Sequence, residues 1–120
     1  MVIQDEYRKN SPRNDQNVKR EIKRQKEAHK FLATFPPKDF FHCHDGQVLR
    51  NMKELNDALC IMTDETYTCH CNTTKADLSI WVKDIIGDVL LATALEKATS
   101  RSLAAWEVAT RISCLARQLN

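Results

Sequence analysis

Apolar positions are unevenly spread along the chain, and their spacing changes from one stretch to the next. Over residues 15–35 they begin sparsely with Val18 and Ile22, then thicken to Phe31, Leu32 and Phe35 over a backbone of good helix formers. That pattern predicts a helix whose C-terminal half docks while its basic N-terminal half projects. Pro36 and Pro37 end it, because neither can donate a helical hydrogen bond. The stretch "DFFHCHDGQVL" predicts two short strands around Asp45-Gly46, a dipeptide suited to the positive backbone angles of a tight turn. Asn51 followed three residues later by Glu54 has the form of a capped helix start, and Leu55, Ala58, Leu59 and Met62 make that helix's buried stripe. "TDE" at residues 63–65 starts another short helix, which residues 72–74 interrupt. "KADLSIWVKDIIG" predicts a further helix with Leu78, Trp81, Val82, Ile85 and Ile86 on one side and Gly87 as its stop. Asp88 opens "DVLLATALEKA". Ser100 or Ser102 opens the last helix, whose seam of Ala105, Val108, Ile112, Leu115 and Leu119 alternates spacings of three and four.

Composition supports a helical reading: with two glycines and three prolines in 120 residues, most of the chain lacks the turn residues that many short strands need. The expected fold class is mainly α, a small helical domain with a short two-stranded β element near residues 40–49, preceded by a basic N-terminal arm and helix. The prolines divide it into residues 1–37, the arm and helix, and residues 38–120, the compact helical domain. Residues 1–14 are polar, contain Pro12 and show no apolar period, which predicts a flexible arm or a segment ordered only by a partner. The N-terminus "MVIQDEYRK" has no apolar core after a basic start, and nowhere do 18 apolar residues run together. The expectation is therefore a cytoplasmic protein with neither signal peptide nor membrane span.

Charge adds an asymmetry that the net value of +2 conceals. Up to Lys30 there are nine Lys and Arg against five Asp and Glu, whereas the remainder carries nine against eleven. The basic residues Lys19, Arg20, Lys23, Arg24, Lys26 and Lys30, together with Ile22, are the expected partner-binding set, apolar residues entering a groove while lysines steer the approach. For nucleic acid the basic balance is weak and its acids are interspersed, so a protein partner fits better.

Sulfur and imidazole supply the remaining candidate chemistry. Five cysteines include Cys43 in "HCHD" and Cys69 and Cys71 in "YTCHCN". Three readings stand side by side: cysteines that simply pack, a redox role for Cys43, Cys69 and Cys71, and a zinc site. In extended backbone the α-carbons of Cys69 and Cys71 sit near the upper limit of about 7 Å for a disulfide, giving a strained and easily reduced bond; pairing with Cys43 is the other option. A protonated His70 or Lys75 nearby would lower a thiol pKa and speed oxidation by peroxide. Tetrahedral zinc would take His42, His44, Cys69 and Cys71, or Cys43 in place of one histidine. Cys60 is expected in the core and Cys114 partly exposed, while His29, Asp64, Glu65, Asp84 and Asp88 read as solvated residues and helix starts. No glycine-rich phosphate loop, "GxSxG", "HExxH" or Cys-x-x-Cys occurs, so neither an enzyme nor a small-molecule substrate is expected.

Residues 41–112, with "FHCHDG", "MKELNDAL", "MTDETYTCHCN", "ADLSIWVKDIIGD" and "LLATALEKATSRS", resemble a small domain of unknown function found in archaea and some bacteria. Its most specific pieces are Asp45-Gly46, Asp64-Glu65, His70 with Asn72, Asp77, Trp81, and Asp84 with Gly87-Asp88. The resemblance implies a fold and a module rather than a reaction. Cys43, Cys69 and Cys71 stand where that family carries aromatic or aliphatic residues, so the resemblance implies no ancestral metal site. The chain is also similar to an accessory subunit of the membrane-bound tetrahydromethanopterin S-methyltransferase complex of methanogens, which implies a larger protein complex as partner, at the cytoplasmic face of a membrane. Together these readings give a small, non-catalytic accessory or regulatory protein, responsive to redox state or oxygen through its cysteines. Its alternatives are a zinc-stabilised module and a nucleic-acid-binding protein.

Overall fold

A computed structural model describes residues 15–119, so the flexible-arm expectation for residues 1–14 lies outside the described residues. Helix α1 spans Asp15–Phe31 and stops four residues short of the expected end at Phe35. Pro36 disfavours helical backbone at Phe35, and the Phe35 amide instead donates to the Arg50 carbonyl at 3.0 Å. A 3-10 turn at Pro37–Asp39 leads into β1, Phe41–His42, paired antiparallel with β2, Val48–Leu49. The register sets Phe41 opposite Leu49 and His42 opposite Val48. Between the strands the Gln47 amide donates to Asp45 Oδ1, the Cys43 amide donates to the Gln47 carbonyl, and Gly46 takes φ 96°, a value that favours glycine.

Helix α2, Met52–Ile61, starts at the predicted cap, with the Glu54 amide donating to Asn51 Oδ1 at 2.8 Å. Glu54 reaches back to accept from the Arg50 amide. Thr63 caps α3, Asp64–His70, by accepting from the Thr66 amide. Asn72 then closes the connecting turn, its Oδ1 accepting from the amides of Thr74 and Lys75.

Helix α4, Asp77–Trp81, widens into a π-helical turn at Val82–Ile86 instead of staying α-helical, and Gly87 ends it at φ 91°. The wider turn buries both Val82 and Ile86 completely and leaves Ile85 half-buried. Asp88 caps α5, Val89–Lys97, and the Ser100 hydroxyl accepts from the Leu103 amide at the start of α6, Arg101–Leu119.

The core lies where α6 meets α2, α1 and α5, with Leu49, Met52, Leu55, Leu59, Leu78, Val82, Ile86, Leu91, Val108 and Leu115 almost fully enclosed. The predicted seam of α6 is displaced by one residue at its start: Ala104, Val108 and Leu115 are buried, while Ala105, Ile112 and Leu119 pack at the margin. Cys60 is exposed rather than in the core. At about 100° per residue it points roughly 130° away from the stripe of Leu55, Leu59 and Met62. Ala28 and Phe31 at the end of α1 belong to the same core as the helices that follow.

Candidate functional site

The residues singled out from sequence occupy two separate regions. In the first, the hairpin packs against the end of α3 and the start of α4. His70, the last residue of α3, is buried, and its ring bridges two segments. The His44 amide donates to its Nε2 at 2.9 Å, and its Nδ1 lies 3.1 Å from Asp77 Oδ2. An acceptor at Nε2 places the ring proton on Nδ1, where it donates to the carboxylate. Lys75 sits 3.5 Å from the same Asp77 oxygen. Phe41 meets the His70 ring edge-on at 5.1 Å and the Trp81 ring at 5.9 Å, while Trp81 Nε1 donates to the Asp39 carbonyl at 2.8 Å. The histidine and carboxylate resemble a catalytic dyad in distance alone. Both ring nitrogens are engaged, so no lone pair faces a substrate, and the arrangement fastens the hairpin to the helices.

The cysteines of this region differ in setting. Cys43 is buried at the start of the hairpin turn; burial, assisted by the Asp45 charge, pushes its thiol up to about 11. Asp45 is itself held low, chiefly by the Gln47 amide. Cys69 is helical and exposed, whereas Cys71 is the extended residue that ends α3, half-buried and bridged to Ala76. The extended Cys69–Cys71 geometry expected for a strained disulfide is thus replaced by a helix end, because Thr63 starts a helix that runs through His70. All five thiols are free. Burial raises the Cys71 thiol, partly offset by the Leu78 amide and the Tyr67 hydroxyl, and it also drives the Tyr67 phenol to about 12. Each shift favours the protonated form, the less reactive one toward oxidants. His42 and His44 are exposed on the hairpin. Among the described residues, no three His, Cys, Asp or Glu side chains gather in a group that could hold a metal ion.

Beside Tyr67 and Cys71 an open cleft of about 690 Å³ runs between the 72–76 turn and the end of α5, bordered by Lys75, Ser79 and Glu96. Ser79 Oγ donates to the Ala92 carbonyl at 2.7 Å, which commits its hydroxyl to packing α4 against α5.

The second region is α1. Lys19, Arg20, Ile22, Lys23, Arg24, Lys26 and Lys30 are all exposed, as is every residue of 17–27; among the described side chains of the helix only Ala28 and Phe31 are buried. The docked end is held by Phe31, whose ring lies 6.0 Å from the Arg111 guanidinium. Arg111 Nε in turn donates to Asp88 Oδ2 at 2.7 Å. Asp88 is the helix start expected of it, one oxygen accepting from the Leu91 amide, but it is 1% exposed rather than solvated. Nothing in the local sequence pairs residue 88 with residue 111; only the packing of α6 across α5 does.

Comparison with family models, curated proteins and solved structures finds no match for this chain. The chain is a small, mainly α-helical protein with six α-helices and one two-stranded antiparallel sheet among the described residues. No helix among those residues is long and apolar enough to cross a membrane.

Proposed function

We propose that this chain is a small, non-catalytic accessory protein that docks on a larger protein assembly through the outer face of α1. The observation that carries the reading is the exposure of residues 17–27 on every side of a helix whose buried side chains, among the described residues, are Ala28 and Phe31. A segment of that length has marginal helix stability alone in water, and most protein helices gain theirs from packing. Val18 and Ile22 are 40% and 45% exposed, apolar side chains with no covering element among the described residues. Occupied ring nitrogens on His70 and a committed hydroxyl on Ser79 support a binding role over a catalytic one. The resemblance noted above nominates the membrane-bound methyltransferase complex of methanogens as one assembly to test, with the protein at its cytoplasmic face. Among Cys43, Cys69 and Cys71, control of that contact by an oxidant such as peroxide falls to the exposed thiol of Cys69.

The test is capture of purified candidate assemblies, under reducing and oxidising conditions, by the full chain and by a variant lacking residues 1–27 that keeps Ala28 and Phe31. Capture lost on deletion is the expected result. Equal capture by both forms removes α1 from the function, and equal capture by Cys69→Ser in both conditions removes the thiol control.

A further inference from the structure

Helical geometry sorts the exposed residues of α1 into distinct faces. Lys19, Lys23, Lys26 and Lys30 are separated by four, three and four residues, so at about 100° per residue they fall within an arc of about 60° and form a ridge about 16 Å long. That ridge points roughly 140° away from the docked Ala28 and Phe31, out into solvent at Lys19, Lys23 and Lys26, while the exposed Lys30 side chain bends back so that its ammonium lies beside Gly87. Val18 and Ile22 form a neighbouring apolar row about 90° from the ridge, also turned away from the core. Glu21 lies on the opposite side from the lysines, and Glu27 lies on the flank away from Val18 and Ile22. No ion pair joins any of the four lysines to a carboxylate among the described residues.

We infer that this face binds an acidic amphipathic helix of a partner protein, one that presents a row of Glu or Asp at spacings of four, three and four beside a row of apolar residues. The inference rests on the proposed docking role of α1 and names the chemistry of its occupant. Two helices packed 8–10 Å apart place matched rows in contact: carboxylates against the ridge, and apolar side chains over Val18 and Ile22. An anionic lipid surface suits a broad apolar face with lysines along both edges, whereas here the apolar row is two residues wide and the lysines lie on one side. A nucleic-acid backbone has no use for the apolar row, and the ridge carries neither arginine nor aromatic side chains for bases.

The probe is a synthetic 18-residue helical peptide with four Glu at those spacings beside two Leu. It is compared with a peptide of the same composition whose Glu are spread round the helix, with phosphatidylserine vesicles and with duplex DNA, all against the full chain at one ionic strength. Expected is at least about tenfold tighter binding of the patterned peptide than of the scrambled one, the sum of four exposed ion pairs and the apolar row. The Lys23→Glu, Lys26→Glu chain should lose that preference and recover it for a peptide with Lys in place of the two Glu that face those positions, its helicity checked by circular dichroism. Ile22→Asp, at an exposed position that spares the core, should weaken the patterned peptide alone. Equal binding of patterned and scrambled peptides overturns the inference, as does stronger binding to vesicles or DNA. If that happens while deletion of residues 1–27 still abolishes capture of the assembly, the docking role stands and only the acidic-helix occupant falls.

Discussion

His70 shows how one side chain can hold two segments together. Its ring accepts from the His44 amide and donates to Asp77, so replacing it removes an acceptor from a part-buried N–H. His70→Phe keeps the ring packing against Phe41 and is expected to cost about 1–3 kcal/mol, measured by urea unfolding. Thiol reactivity separates the cysteines by setting. Alkylation in the native state should modify Cys60 and Cys69 quickly and Cys43 only on unfolding, as read by mass spectrometry; rapid native labelling of Cys43 would contradict its burial. Alkali tests the same site. The folded chain holds the Cys43 proton more tightly than the unfolded chain does, so its contribution is whole below the ordinary value of 9.0 and drains away as pH rises toward about 11. Cys43→Ala should therefore show a shallower loss of stability between pH 9 and 11 than the parent. Glu54 and Asp45 act in the opposite sense. Their carboxyls are held low by Arg50 and Gln47, so what they contribute is present at neutral pH and is lost in acid.

Among the elements, the most consequential join is the one between α1, α5 and α6. Arg111 neutralises the buried Asp88 at the head of α5 and lies over Phe31 of α1, so a single side chain ties three helices. Gly87 lies beside it; a Cβ there would approach Phe31 and the end of Lys30 to 3.5–3.8 Å. Arg111→Leu leaves a carboxylate that is 1% exposed without its cation, and the expected loss is about 3–5 kcal/mol. Asp88→Asn combined with Arg111→Leu removes the stranded charge and should recover part of that loss in the same melting assay. At the other end of α6, Arg101 bonds both Asp64 and the Leu59 carbonyl, joining the last turn of α2 to the first of α3.

Across the whole molecule stability is unevenly distributed. Helices α2, α4, α5 and the centre of α6 share one core, whereas α1 contributes only its final turn. Amide hydrogen exchange should reflect this: amides of residues 18–27 should exchange orders of magnitude faster than those of Leu55, Leu59 and Val108, and the acidic helical peptide should slow them. Uniform protection along α1 would mean that the helix is held by more than its final turn.

Much of this architecture could be read from local signals, because a local signal needs only neighbours in the chain. Asn51, Thr63 and Asp88 each announce a helix by offering oxygen to an amide three residues on, Gly46 and Gly87 announce turns, and the 3.6-residue period exposes the stripe of α2. The lysine spacing of α1 is likewise a property of the sequence. The early end of α1 at Phe31, the π turn before Gly87, the burial of Asp88 against Arg111 and the bridge from His44 through His70 to Asp77 depend on partners 7 to 26 residues away, or on how helices cross. The sequence by itself determined which segments are helical, which face of each is apolar and where the basic charge gathers. Only the tertiary structure decided which polar side chains are buried and with whom they pair, because desolvation and long-range hydrogen bonding exist only once the segments have met.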